Sequence, residues 1–163
     1  MHMRLINNSL YFYNYKIKCS IGKKGLTVKK KEGDMKTPVG KFKFDFLMYR
    51  KDRVRKIKCN FKKITIKKNL GWCDDPKSNF YNKLIKFPFE ASAEKLFLKK
   101  NIYDLILTTN FNTKPTIKNK GSAIFFHISD KTFSPTRGCI AVKKNEFLKI
   151  LPLITKKTRL IIN

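Results

Sequence analysis

Histidine is almost missing from this chain. There are two in 163 residues, His2 at the N-terminus and His127, so any imidazole chemistry falls to His127. The four cysteines, Cys19, Cys59, Cys73 and Cys139, form no C-x-x-C pair and no zinc-ligand spacing. With histidine so scarce, that argues against a Cys/His metal site, and neither a metal nor a cofactor is expected. A chain of this length buries a core without staples, so four free thiols are expected, three of them structural. Acidic residues are few, 11 Asp+Glu against 38 Lys+Arg, for a formal net charge of +27. Such a surface attracts polyanions in general. Arginine is scarce among those cations, and the lysines are scattered through every segment. Base-reading proteins favour clustered arginine, and no helix-turn-helix or RNA-recognition signature is present. Both points argue against nucleic acid; an anionic membrane and an anionic cell-wall polymer both stay open as partners for that charge. No stretch approaches the ~18 apolar residues of a membrane span. The N-terminus has no apolar core or small-residue cleavage site of a secretory leader, so the chain as written is expected to be soluble.

What is present is apolar and aromatic: 42% hydrophobic residues and 14 phenylalanines, enough for one core. The pattern predicts strands. Asn7-Asn8 marks a turn between two short ones. Tyr15, Ile17, Cys19 and Ile21 alternate with polar residues, and Phe42, Phe44 and Phe46 alternate with Lys41, Lys43 and Asp45, predicting a strand with one aromatic face. Residues 50–60 read as a charged, hairpin-like excursion. Residues 69–82 read as a long ordered loop that holds the only tryptophan, Trp72, beside Asp74 and Asp75. Ser92 is a candidate N-cap for a helix from Ala93 to Lys99, and Asn145 to Ile150 a second short helix. Strands follow at 103–109, 122–129 and 159–162. With no internal repeat and no alternation of strand and helix, the expected fold is a mainly-β sandwich or barrel-like domain over residues 1–163, with antiparallel pairing and two short helices.

The chemistry concentrates in Ser122–Val142. An apolar strand ends in His127, a polar loop follows, and Thr136-Arg137-Gly138-Cys139 turns into a second apolar strand. A lone cysteine in an apolar strand is ordinarily a buried small hydrophobe, and Cys19 and Cys59 fit that description. Cys73 stands beside two carboxylates, which disfavour a thiolate. Cys139 differs. A permanent cation lies two residues away, Gly138 permits a tight backbone approach, and Thr136 adds a hydroxyl. His127 is twelve residues upstream, near enough for the connection to fold back and set the two side chains on neighbouring strands. That pairing suits an activated thiol nucleophile, with backbone N–H groups around Gly138 and Cys139 aimed at an oxyanion. A backbone carbonyl, Ser129 or Asp130 is the candidate to orient the imidazole.

The stretch resembles the active-site signature of the YkuD-type L,D-transpeptidases: a histidine, a spacer, then Ser/Thr-x-Gly-Cys, here His127 and Thr136-Arg137-Gly138-Cys139. Thr37-Pro38-Val39-Gly40-Lys41-Phe42 matches an early segment of that family. Gly71-Trp72-Cys73-Asp74-Asp75-Pro76, Tyr81-Asn82, Ser92-Ala93-Glu94 and Gly121-Ser122-Ala123-Ile124-Phe125 resemble one branch of it, so the likeness spans roughly residues 15–163. Two features depart from the family pattern. Arg137 stands where a second histidine is frequent, and the His-to-Cys spacer is short. The resemblance implies a mainly-β catalytic domain that transfers acyl groups between peptidoglycan stem peptides through a thioester, and a place in the cell envelope. It implies Cys139 as nucleophile and His127 as general base, then acid, with Gly138 and Arg137 assisting. Thr136, Ser129, Trp72, Asp74 and Tyr81 are the candidate substrate-binding residues, and a monomer is expected. A hydrolytic variant would use the same residues. A non-enzymatic polyanion-binding domain and an inactive wall-binding module are the competing classes.

Overall fold

The computed structural model describes residues 1–163. Its strands in chain order are β1 (Met3–Ile6), β2 (Ser9–Phe12), β3 (Tyr15–Ser20), β4 (Leu26–Thr27), β5 (Thr37–Pro38), β6 (Gly40–Tyr49) and β7 (Lys63–Thr65). Then come β8 (Leu70–Cys73), β9 (Leu84–Lys86), β10 (Ala93–Lys95), β11 (Leu105–Thr109), β12 (Phe125–Ile128), β13 (Ile140–Val142) and β14 (Arg159–Ile162). One α-helix, α1 (Lys144–Ile150), lies between β13 and β14, with Glu146 in its first turn and Lys149 in its last, matching its dipole. Short 3-10 turns cover Asn101–Tyr103 and Leu151–Leu153. No helix is long and apolar enough to cross a membrane.

The large sheet runs β11-β12-β13-β3-β2-β1-β14-β6, and a further pairing of β11 with β6 closes it into a barrel; β7 attaches to β6 outside the ring. Closure leaves few exposed sheet edges. The Asn7-Asn8 turn is present, with both residues at positive φ, as a two-residue hairpin requires. The expected antiparallel pairing joins most neighbours of the large sheet, but not all of them. β1 with β14, β12 with β13, and β6 with β7 pair in parallel, each pair joined by a long excursion rather than a hairpin.

Period-2 alternation splits the wall of β6, β11, β12 and β13 between two cores. Leu47, Leu105, Leu107, Phe126, Ile128, Ile140 and Val142 face the main core, which α1 joins through Phe147 and Ile150. Met48, Ile106, Phe125 and Cys139 face outward into a second core. That core is covered by the small antiparallel sheet β10-β8-β9, which contributes Leu70 and Trp72. Strands buried on both faces lose the in–out alternation, and 105–109 and 125–128 are each buried along their whole length. Phe126 is fully buried and packs edge-on against Phe147, with ring centroids 4.8 Å apart. Phe126→Ala should destabilise the fold by about 3–5 kcal/mol. Thermal melting should then fall by roughly 10 °C; a shift under about 2 °C would show that the inner face of β12 is not the core.

Four expectations of local structure are corrected. The helix at 93–99 is instead β10, paired to β8 with Glu94 opposite Trp72; the Ser92 hydroxyl does not cap a helix but donates to Asp74 Oδ1 at 2.6 Å. The 69–82 loop begins with β8, which takes Trp72 into the second core. The single aromatic face of β6 is broken, because Phe42 and Phe44 pack toward the main core and Phe46 toward the second. The register explains it: Thr109 pairs with Phe44 but Leu107 with Leu47, so β6 carries one extra residue, a bulge that reverses its faces. The Thr108 hydroxyl fills the gap, accepting from the Phe46 N–H and donating to its carbonyl, each at 3.1 Å. The 50–60 excursion forms no hairpin. Arg50 is buried there, paired to Asp52 and stacked on Phe97, and Arg53 and Lys144 meet the buried Asp104.

Candidate active site

β12 and β13 lie side by side in parallel, with Phe126 opposite Ile140 and His127 opposite Ala141. Continuing that register sets Cys139 opposite Phe125, two residues from the position of His127 and on the same outward face. The eleven-residue connection, 129–139, returns the chain to start β13 beside β12, so the thiol and the imidazole come from neighbouring strands. Both line one cavity of ≈ 900 Å³ between the barrel wall, the β8–β10 sheet and the 30–35 loop.

The imidazole is held by the backbone. His127 Nδ1 lies 2.9 Å from the Ile128 carbonyl and 3.3 Å from that of Ile102. Carbonyl oxygens only accept, so Nδ1 carries the hydrogen and Nε2 is left with a free lone pair. Neither Ser129 nor Asp130 serves. The Ser129 hydroxyl is buried without a partner, and Asp130 Oδ1 closes its own loop by accepting from Thr132 and Ser134. Tyr103 packs edge-on against the ring, centroids 5.2 Å apart. Burial holds the imidazole down at about 4, against the two carbonyls, which favour its charged form.

The thiol is likewise neutral at rest. Cys139 Sγ donates to the Ala123 carbonyl at 3.0 Å and accepts from the Phe125 N–H at 3.3 Å. Burial pushes it up to about 12, with Glu94 acting in the same direction and the Phe125 N–H and Lys30 opposing. The cation that favours the thiolate is thus Lys30, from the early loop. Arg137, expected in that role, is exposed and makes no ion pair with the protein, though its guanidinium lines the cavity.

The turn before Cys139 is fixed by the segment at 37–40. The Thr37 hydroxyl donates to the Gly138 carbonyl at 2.9 Å and accepts from the Gly22 N–H at 2.8 Å. Thr136 Oγ1 donates to the Cys139 carbonyl at 2.6 Å and accepts from the Gly138 N–H at 3.1 Å. Thr136 therefore braces the turn instead of offering its hydroxyl to a ligand, and the Gly138 N–H is already committed. Gly138 sits at φ +140°, and a Cβ there would lie 2.8 Å from the Lys36 carbonyl and 3.2 Å from Ile124. Gly138→Ala is expected to cost about 3 kcal/mol through strain and clash, lowering the melting temperature by about 6–12 °C. It should also displace the thiol, read as slower alkylation or acylation of Cys139. Unchanged melting and labelling would show that the turn tolerates a side chain.

The other sequence candidates divide. Asp74 and Ser129 line the cavity. Trp72 and Tyr81 do not: Trp72 is buried in the second core and donates its indole N–H to Asn82 Oδ1 at 3.0 Å, and Tyr81 is buried with its hydroxyl on Glu32. Their bulk supports the wall from behind. Glu94, which sequence reading set on a helix, faces the cavity. Its Oε1 accepts from the Tyr103 hydroxyl at 2.6 Å. Burial raises its carboxyl above the usual range. The Tyr103 hydroxyl and Arg137 act against that, and Asp74 and Glu32 reinforce it.

Fold and cavity together define a class: a closed β-barrel with a thiol and an imidazole on adjacent parallel strands, lining one cleft. A family model described as YkuD, the L,D-transpeptidase catalytic domain, matches residues 2–162, and the chain belongs to that family. No curated protein and no solved structure matches the chain.

Proposed function

We propose that residues 1–163 form one catalytic unit, an acyltransferase that works on peptidoglycan stem peptides through a thioester on Cys139. The observation that carries the reading is the register of β12 and β13, which sets Cys139 and His127 on one face of one cavity, with Nε2 of His127 unpartnered. In the first half-reaction Cys139 Sγ attacks the carbonyl of the diamino-acid residue of a donor tetrapeptide. The thiol proton passes to His127 Nε2 as the S–C bond forms. Collapse of the tetrahedral adduct breaks the C–N bond to the terminal D-alanine, and the imidazolium returns the proton to the leaving amine. In the second half-reaction an acceptor amine attacks the thioester carbonyl and gives a proton to His127. The sulfur then leaves and is reprotonated.

Both resting groups are neutral, so the proton moves only as the S–C bond forms, and burial then favours a compact, concerted transfer over a standing ion pair. Arg137, exposed at the rim and unpaired, suits a substrate carboxylate. With the Gly138 N–H committed to Thr136, the Cys139 N–H is the backbone donor proposed for the oxyanion. The five carboxylates lining the cleft argue against nucleic acid as its ligand.

The test is intact-mass measurement after incubation with a stem tetrapeptide and, separately, with a carbapenem, followed by mapping of the adduct. A single adduct on Cys139 supports the proposal; an unmodified protein, or an adduct elsewhere, overturns it. Product analysis with and without an added amine separates transfer from hydrolysis.

A further inference from the structure

This chain has 38 basic and 11 acidic residues, yet five of the acidic ones line the catalytic cavity, against three of the basic ones. The cleft reverses the sign of the protein around it. Two of the five are tied up locally: Asp130 closes its own loop, and Asp75 Oδ1 accepts from the Lys77 N–H. The other three share one arrangement. Glu94, Asp74 and Glu32 each accept a single side-chain hydroxyl, from Tyr103, Ser92 and Tyr81 respectively. Each keeps its second oxygen without a protein partner. None is in an ion pair, although the chain carries 38 cationic side chains. Hydroxyl donors fix the orientation of the carboxylates and leave their charge uncompensated. Asp74 and Glu32 act on Glu94 as like charges, so a cation placed among them would be favoured.

Two independent features mark the same cavity as built for a ligand. His127 is 6% exposed, and its Nε2, on the cavity side, has no protein partner. The Ser129 hydroxyl, also on the lining, is buried and unpaired. The carboxylates are not grouped closely enough to hold a metal ion. An ammonium is smaller in its demands: three N–H donors, satisfied by one carboxylate oxygen and neighbouring acceptors, within a field of the right sign.

We propose that Glu94, backed by Asp74 and Glu32, forms a subsite for a primary ammonium group of the peptide substrate and selects for that group. This rests on the reading of the cavity as the seat of a peptide substrate. Arg137, exposed on the same cavity and in no ion pair, leaves the cleft bipolar, matched to a peptide that carries an amine and a carboxylate. Glu94 is a specificity residue here and takes no part in bond breaking.

The test compares two stem tetrapeptides, both acetylated at the N-terminus. One has a free side-chain amine on its diamino acid, and the other is acetylated there. Affinities are measured by calorimetry on Cys139→Ala protein, which cannot turn over, with and without Glu94→Gln. Glutamine keeps an acceptor for the Tyr103 hydroxyl, and thermal melting checks the fold. The free amine should bind about tenfold more tightly when Glu94 is present, and the preference should vanish with Glu94→Gln. Equal affinity for both peptides, a preference that survives Glu94→Gln, or no binding of either peptide overturns the subsite. Acylation of the wild type by the same peptides is scored separately. A missing adduct on Cys139 with an intact amine preference would sink the nucleophile assignment and leave the subsite standing.

Discussion

Cys139→Ala is expected to lose all acyl-enzyme, while Cys19→Ala retains it in full. The reason is chemical as well as positional. Cys19 is buried in the main core at 2% exposure, where its thiol is pushed up to about 12 with no base beside it. Cys73 is fully buried. Cys59 is the more exposed thiol, resting on the Phe61 carbonyl at 3.5 Å, and an indiscriminate alkylating reagent should find it readily. Cys139 is buried too, but on the cavity lining, on the same sheet face as an imidazole with a free Nε2. An acyl donor that must be held in the cleft should therefore ignore Cys59 and modify Cys139. Alanine removes one sulfur, with its contacts to Ala123 and Phe125, and leaves the backbone register alone, so the variant should fold. Intact mass decides. An adduct that survives in Cys139→Ala, or maps to Cys59, would remove this thiol from the mechanism.

The pair was legible in the sequence because its signal is short-range. His127 and Cys139 belong to consecutive apolar strands, and alternation combined with the register of the two strands puts them on one face. The Thr37 segment was legible as a motif, but its purpose was not: the contact between its hydroxyl and the Gly138 carbonyl joins positions 101 apart. The place of Glu94 is hidden in the sequence for a physical reason. Ser92 followed by Ala93-Glu94 is a plausible helix start, and a three-residue strand is too short to show a period that would contradict it. Only pairing with β8, itself hidden among Gly, Asp and Pro, makes 93–95 a strand and turns Glu94 toward the thiol. The charge balance held a usable signal, since carboxylates are rare in this chain and several fall in the segments that meet at the cleft. The bulge in β6 had no local signature, because the extra residue is defined only against β11.

His127→Gln should slow acylation of Cys139 by about 10²–10⁴-fold, equivalent to roughly 3–5 kcal/mol of barrier. The change in pH dependence is the sharper readout. In the wild type the proposed base is a neutral imidazole held down at about 4, and the proposed nucleophile is a thiol held up at about 12. Between those values both groups are already in the required state, so the acylation rate should be flat from about pH 5 to 9 and fall only as the imidazole protonates. Without His127 the residual rate depends on the rare thiolate and should climb about tenfold per pH unit toward alkaline pH. Stability sets the acid limit of the measurement. The folded state holds His127 near 4 and the unfolded chain near 6.5, so the unfolded state takes up the proton first as pH falls. The stabilisation is complete above about pH 6.5 and is lost progressively down to about pH 4, for a total of about 3 kcal/mol. His127→Gln should lack that acid loss, so its melting temperature should vary less than the wild type's between pH 6.5 and 4. A wild-type rate that rises with pH as the variant's does would mean that a free thiolate, not the thiol–imidazole pair, is the attacking species.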